Sequence, residues 1–299
     1  MKLHSKKIWI AAALVPLAFA GACSSTSGSG TPTAPAKFYV SLGDSYSVGY
    51  QPDIGATTGF TGVVATKTGM TLKNFGCAGA TTTSVLQTIG CPDVLPRTAG
   101  AVAYPATTQI AAAQAFLKAH QGQIGLITVA IGGNDVTACA KDPNPIPCVG
   151  AADRSITTNV TNLVASLRTA AGPSVPIIGI TYPDVILGSY VYPSQPASAA
   201  QMSLAQLSVT AFKTQINPAL EAAYASGNGS FVDVTSATGA YGPLTETTTL
   251  APYGSIPVPV AKICTLTWFC SKGDIHAKTP GYDLIGQLVA NQYRTASKG

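Results

Sequence analysis

Two hydrophobic patterns alternate along the chain. Short apolar or β-branched runs occur at 38–42 (FYVSL), 72–75, 124–131 (IGLITVAI), 176–182 (PIIGITY) and 230–234 (SFVDV). Runs of this length bounded by turn residues predict buried strands. Between them, helical spacing covers 59–68, 82–87, 107–119, 152–171, 197–225 and 280–293. Within 152–171, Ile156, Val160, Leu163, Val164 and Leu167 step by three and four, which turns one apolar face toward a sheet. Strand, helix, strand order predicts an α/β fold with a parallel sheet covered on both faces. Five strands and no second linker predict one three-layer α/β/α domain over 37–299, with the Pro/Thr/Gly-rich stretch 235–260 as a long surface loop.

Ahead of the first strand the pattern changes. Residues 1–7 carry Lys2, Lys6 and Lys7, residues 8–20 are uninterruptedly apolar, and Ala20, Gly21 and Ala22 precede Cys23. This order predicts an export signal over 1–22. The apolar run would rise only about 20 Å as a helix against a ~30 Å hydrocarbon core, which disfavours a permanent span. A cysteine after small residues resembles a bacterial lipobox, in which the thiol is acylated and the chain is cut just before it. Ala20 stands where such boxes usually carry Leu, so an ordinary signal-peptidase site nearby stays open. Residues 23–36, nothing but Ser, Thr, Gly, Pro and Ala after Cys23, predict a flexible tether. Acylation at Cys23 would anchor the protein in the outer face of the cell membrane, and without it the protein would be secreted.

Seven cysteines are an odd number, and an exported odd cysteine needs a fate. Setting Cys23 aside leaves local pairs, Cys77 with Cys91, Cys139 with Cys148, and Cys264 with Cys270, each suited to a loop staple in an oxidising compartment. Local pairing is the most economical connectivity, and buried free thiols are the alternative. Only 10% of residues are charged and 46% are apolar, which excludes a disordered polymer. Removing the leader lysines leaves 14 basic against 12 acidic residues with no Lys/Arg cluster, which argues against a nucleic-acid partner. Three His, ten Asp and two Glu without close Cys/His spacing leave little for a zinc or calcium cage, so no metal is expected. Oligomeric state has no signature in the sequence.

Ligands of open parallel sheets bind beyond the carboxyl ends of the strands. The first strand is followed by Gly43-Asp44-Ser45-Tyr46-Ser47, the second by Gly76-Cys77-Ala78-Gly79-Ala80-Thr81, and the third by Gly132-Gly133-Asn134-Asp135. A serine at a strand-to-helix turn can expose its hydroxyl where backbone N–H groups face an anion. Gly-rich turns and an Asn carboxamide add donors without charge, as an oxyanion hole requires. Serine needs a base, and beyond the leader only His120 and His276 remain. His120, at the end of a predicted helix, reads as a cationic residue near a helix C-terminus. His276 precedes the last helix, with Asp274 two residues before it.

Gly-Asp-Ser at 43–45, Gly-Ala-Thr at 79–81, Gly-Gly-Asn-Asp at 132–135 and His-x(4)-Gly-Tyr at 276–282 resemble, in order, the blocks of the SGNH hydrolases, also called GDSL esterases and lipases. The resemblance implies a flavodoxin-like fold and an acyl-ester substrate attacked by Ser45. It also implies His276 as general base and then acid, and an acyl-enzyme hydrolysed by water. The implied oxyanion donors are the Ser45 and Gly79 N–H groups and the Asn134 side chain, with no metal or organic cofactor. That family usually carries its acidic residue three positions before the histidine, where this chain has Gly273. Either Asp274 or a backbone carbonyl would then orient the ring. The cysteines are similarly placed to those of secreted members with three local disulfides, including the loop Cys264-Thr-Leu-Thr-Trp-Phe-Cys270. Trp268 and Phe269 in that loop would line an acyl pocket or plug the sheet edge, and Tyr46 is a further candidate wall. An extracytoplasmic serine esterase or lipase is the function so implied. An acyltransferase using the same site and a non-catalytic binding lipoprotein are the alternatives.

Overall fold

The computed structural model describes residues 37–296 apart from 92–97, 138, 140 and 141. The expected signal at 1–22, Cys23 and the tether at 23–36 lie outside the described residues. β1 (Phe38–Gly43), α1 (Gly59–Thr68), β2 (Thr71–Asn74), α2 (Thr82–Gln87), α3 (Gln109–Ala119) and β3 (Ile124–Ala130) follow the predicted alternation. A short α4 (Gly133–Thr137) and the long α5 (Pro145–Ala171) lead to β4 (Ile177–Ile180), then to α6 (Ala199–Ala211), α7 (Asn217–Ser226) and β5 (Ser230–Val232). After the sheet come α8 (Val234–Ala237), β6 (Thr247–Leu250), β7 (Gly254–Pro257), α9 (Val258–Leu266), α10 (Phe269–Lys272) and α11 (Thr279–Ala296).

The sheet has the order β2-β1-β3-β4-β5 with every pair parallel. Alternation along each strand feeds two cores. Val40, Leu42, Ile127 and Val129 meet α3, α5 and α7 through Leu117, Val160, Leu163 and Leu220. Tyr39, Leu126 and Ile180 meet α1 and α11 through Phe60, Val64, Ile285 and Val289. Gly286 lets α11 close on α1, since a Cβ there would lie 2.5 Å from Val63 Cβ. A three-layer α/β/α arrangement with a five-stranded parallel sheet results, as the pattern predicts.

Three segments depart from the sequence reading. Stretch 235–260 is not one loop, because it holds α8 and the antiparallel β6–β7 hairpin before α9 begins. Its Thr-rich strand is exposed on most positions and so lacks the apolar alternation that marks a strand. Helical stretch 197–225 is split into α6 and α7 by a wide turn at Phe212–Ile216, in which Asn217 N–H donates to the Phe212 carbonyl. Pro218 has no N–H for the ordinary helical bond, and the ladder widens just before it. α5 starts seven residues earlier than the predicted 152, at Pro145, where an N-terminal proline loses no bond. A third cluster, including Leu187, Val191, Ala205, Ile256 and Ile263, joins the turn after β4 to α6, β7 and α9.

Candidate active site

β1 ends against its neighbour with no room to spare. Gly43 has φ +136°, and a Cβ there would fall 2.0 Å from the Ala130 carbonyl oxygen, which instead accepts the Asp44 N–H at 3.1 Å. Gln109, at the start of α3, clamps the same glycine from the other side. Its Oε1 accepts the Gly43 N–H at 2.8 Å, and its Nε2 donates to the Gly43 carbonyl at 3.1 Å. The chain then curls into a tight turn in which Val48 N–H donates to Asp44 O and Tyr50 N–H donates to Ser45 O. Ser45 is thereby set at the carboxyl end of the sheet.

Asp44 is buried and braces the turn. Its Oδ1 accepts the Tyr46 N–H at 2.9 Å and its Oδ2 accepts the Tyr182 hydroxyl at 2.6 Å. Burial pushes its carboxyl up to about 7, against the opposing pull of those two bonds. The same loss of water pushes the Tyr46, Tyr182 and Tyr282 phenols well above 10. Tyr46 is not a pocket wall. It is buried, with its ring edge-on to Tyr182 and Tyr282 and its hydroxyl donating to the Ile275 carbonyl at 2.7 Å.

The second and third turns are fastened together. Asp135 accepts the Thr82 N–H at 3.0 Å and the Thr82 hydroxyl at 2.6 Å, and Asn134 Nδ2 donates to Ala80 O at 2.8 Å. One Asn134 amide hydrogen is held by that bond, and the other has no partner among the described residues. Gly79 has φ +77°, a conformation glycine adopts without strain, and among the described residues neither its N–H nor that of Ser45 donates a hydrogen bond. A cavity of about 150 Å³ opens beside it, with Gly79, Ala80, Val85, Thr88, Tyr104 and Gln109 among its walls.

His276 follows α10 in a short turn. Asp274 Oδ1 accepts both the His276 N–H at 2.9 Å and a bond from Nδ1 at 2.8 Å, so the carboxylate holds ring and backbone together. Of the two orienting groups the sequence allows, a carboxylate faces Nδ1. Burial pushes the imidazole below its ordinary value, and the adjacent Asp274 charge opposes that shift. Tyr50 lies edge-on to the ring at 4.5 Å. The turns of Ser45 and His276 meet through Tyr46 and Ile275; among the described residues no hydrogen bond joins Ser45 Oγ to the ring. His120 sits elsewhere, at the end of α3, stacked on Phe116 with Nδ1 bonded to the Phe116 carbonyl.

The three disulfides join Cys77 to Cys91, Cys139 to Cys148, and Cys264 to Cys270. Phe269 packs on Gly188 and edge-on to Tyr192 and is not among the walls of that cavity. Trp268 lies between Lys272 and Lys278 and donates to Gln51 Oε1. The bonding roles of Gln109, Tyr46 and Tyr182 had no signal in the sequence, since each acts on a partner far along the chain.

The chain resembles solved structures over most of its length. The extracellular lipase of Streptomyces rimosus matches 86% of this chain and 99% of its own with a TM-score of 0.50 at 18% identity. Phospholipase A1 of Streptomyces albidoflavus NA297 matches 86% and 98% with a TM-score of 0.48 at 18% identity. At that identity the likeness to the lipase establishes a shared fold. No curated protein matches the chain. The model of one family does, from the end of the first strand into the last helix: over residues 41–284, the chain belongs to the GDSL-like lipase/acylhydrolase family.

Proposed function

We propose that this protein is an exported serine esterase that cleaves acyl esters through an acyl-enzyme on Ser45. The observation that carries the reading is the His276–Asp274 pair, held in a turn bonded to the residue next to Ser45. With Nδ1–H directed at the carboxylate, the lone pair lies on Nε2, the nitrogen that accepts the Ser45 proton. Burial favours the neutral imidazole, the form that can accept a proton. As Oγ adds to the ester carbonyl, the new oxyanion is met by the N–H groups of Ser45 and Gly79 and by the free Asn134 amide hydrogen. His276 then returns the proton to the leaving alcohol, and water repeats the sequence on the acyl-enzyme. Serine and imidazole bonds of this kind commonly tighten only once substrate is bound.

Three disulfides support an oxidising compartment outside the cytoplasm. A lipid on Cys23 would hold the enzyme at the membrane surface. The test is hydrolysis of p-nitrophenyl esters from acetate to palmitate by wild type and Ser45→Ala. Turnover lost in the variant supports the reading, whereas equal rates in both overturn it. Adding an alcohol acceptor and analysing the products separates hydrolysis from acyl transfer.

A further inference from the structure

We infer that Tyr46 is a positioning residue, whose hydroxyl on the Ile275 carbonyl holds the Asp274–His276 turn in register with the turn carrying Ser45. The inference rests on the Ser45–His276 reading above. Tyr46 has little freedom of its own. Its N–H is held by Asp44 and its carbonyl accepts the Gly49 N–H, while its ring lies between Tyr182 at 4.9 Å and Tyr282 at 5.6 Å. A hydroxyl so mounted marks a fixed point 2.7 Å from the backbone of the residue between Asp274 and His276.

On the other side, the Asp274–His276 bonds span only two residues, so they orient the ring within its turn and not against Ser45. The backbone fasteners of that turn lead elsewhere: Trp268 N–H donates to His276 O, and Lys278 N–H donates to Leu266 O. Gln51 and Tyr50 hold the start of α11, at Thr279 and Tyr282. Among the described residues, the Tyr46 bond alone ties residues 274–276 to residues 43–47. Burial, reinforced by the Asp44 and Asp274 charges, keeps the phenol protonated across any working pH, so the donor is always present. Rates of proton transfer depend steeply on the placement of base and nucleophile, while a buried ring out of reach of substrate leaves binding alone.

The experiment compares Tyr46→Phe, Tyr39→Phe and Ser45→Ala against wild type on p-nitrophenyl butyrate across pH. Active-site titration with a p-nitrophenyl phosphonate counts competent enzyme, so partial unfolding cannot mimic a rate loss. Tyr46→Phe is expected to lower kcat by about three- to tenfold, the effect of one lost hydrogen bond, with KM within about twofold. Its acid limb moves to higher pH, because the Asp–His pair travels together while the ring gains water. Tyr39→Phe removes a comparably buried bond, to Thr128 at 2.7 Å, and should leave kcat and the pH profile as in wild type. A Tyr46→Phe enzyme with wild-type kcat and acid limb overturns the inference, as does an equal loss in Tyr39→Phe. Activity persisting in Ser45→Ala would instead sink the underlying reading.

Discussion

Replacing Asp274 tests the part of the site where this chain departs from the usual spacing. Its Oδ1 accepts two bonds, one from the His276 N–H and one from Nδ1. A hydrogen bond to a charged group is worth about 1.5–3 kcal/mol, which corresponds to roughly 10- to 150-fold in rate. The Asp274 side chain is 26% exposed, so solvent screens it and the lower end applies. Asp274→Ala should therefore lower kcat by about 10- to 30-fold, through loss of both bonds. Asp274→Asn can present its carbonyl oxygen in the same place and loses only the charge, so a fall of about three- to tenfold is expected, neutral bonds being near half as strong. The Asp274 charge holds the His276 pKa up against burial, so its removal lowers that pKa. The acid limb of kcat/KM should then move to lower pH in both variants, opposite to the shift expected for Tyr46→Phe. Stopped-time ester assays between pH 4 and 9 read both quantities. If both variants stay folded with kcat within twofold of wild type and an unmoved acid limb, the carboxylate does not orient the ring.

Asn134→Ala should lower kcat by about 10²- to 10³-fold with KM little changed, as loss of one oxyanion donor does, measured on the same esters. Gly43→Ala must push a Cβ into the Ala130 carbonyl from a left-handed backbone; a cost of about 3 kcal/mol or more should lower Tm by roughly 6–12 °C in thermal melts. Burial pushes Asp184, which caps the turn at Val185–Tyr190 and accepts from Ser208, up to about 7. A carboxyl so raised binds more protons folded than unfolded between its ordinary value and 7, so its contribution falls as pH rises through that window. Asp184→Asn, which mimics the protonated form, should gain Tm relative to wild type on going from pH 5 to pH 8, and a constant difference would contradict the shift.

The strands and most helices were legible because burial on two faces leaves continuous apolar runs such as Ile124–Ala130, and because α5 keeps its stripe for about three turns. Ser45, Gly79, Asn134 and His276 were singled out for a different reason, namely the four ordered blocks that resemble the SGNH hydrolases, and the assays above test their proposed roles. The hairpin at Thr247–Pro257 was hidden by exposure, and the break at Phe212–Ile216 by an unbroken helical period. The contacts made by Gln109, Tyr46 and Tyr182 were invisible in principle. Their partners, Gly43, Ile275 and Asp44, lie 66, 229 and 138 residues away, and nothing local in the chain encodes such a meeting.

The pairing of α1 with α11 has a temporal consequence. Ser45's turn precedes α1 by about a dozen residues, yet the helix that covers α1 is the last of the described elements, and the histidine turn precedes it by only a few residues. A chain emerging N-terminus first therefore exposes Ser45 long before His276 has been made. On the proposed Ser45–His276 chemistry, the two ends of the described domain must therefore meet before the site is whole, and a chain made only as far as α10 would hold the serine without the histidine.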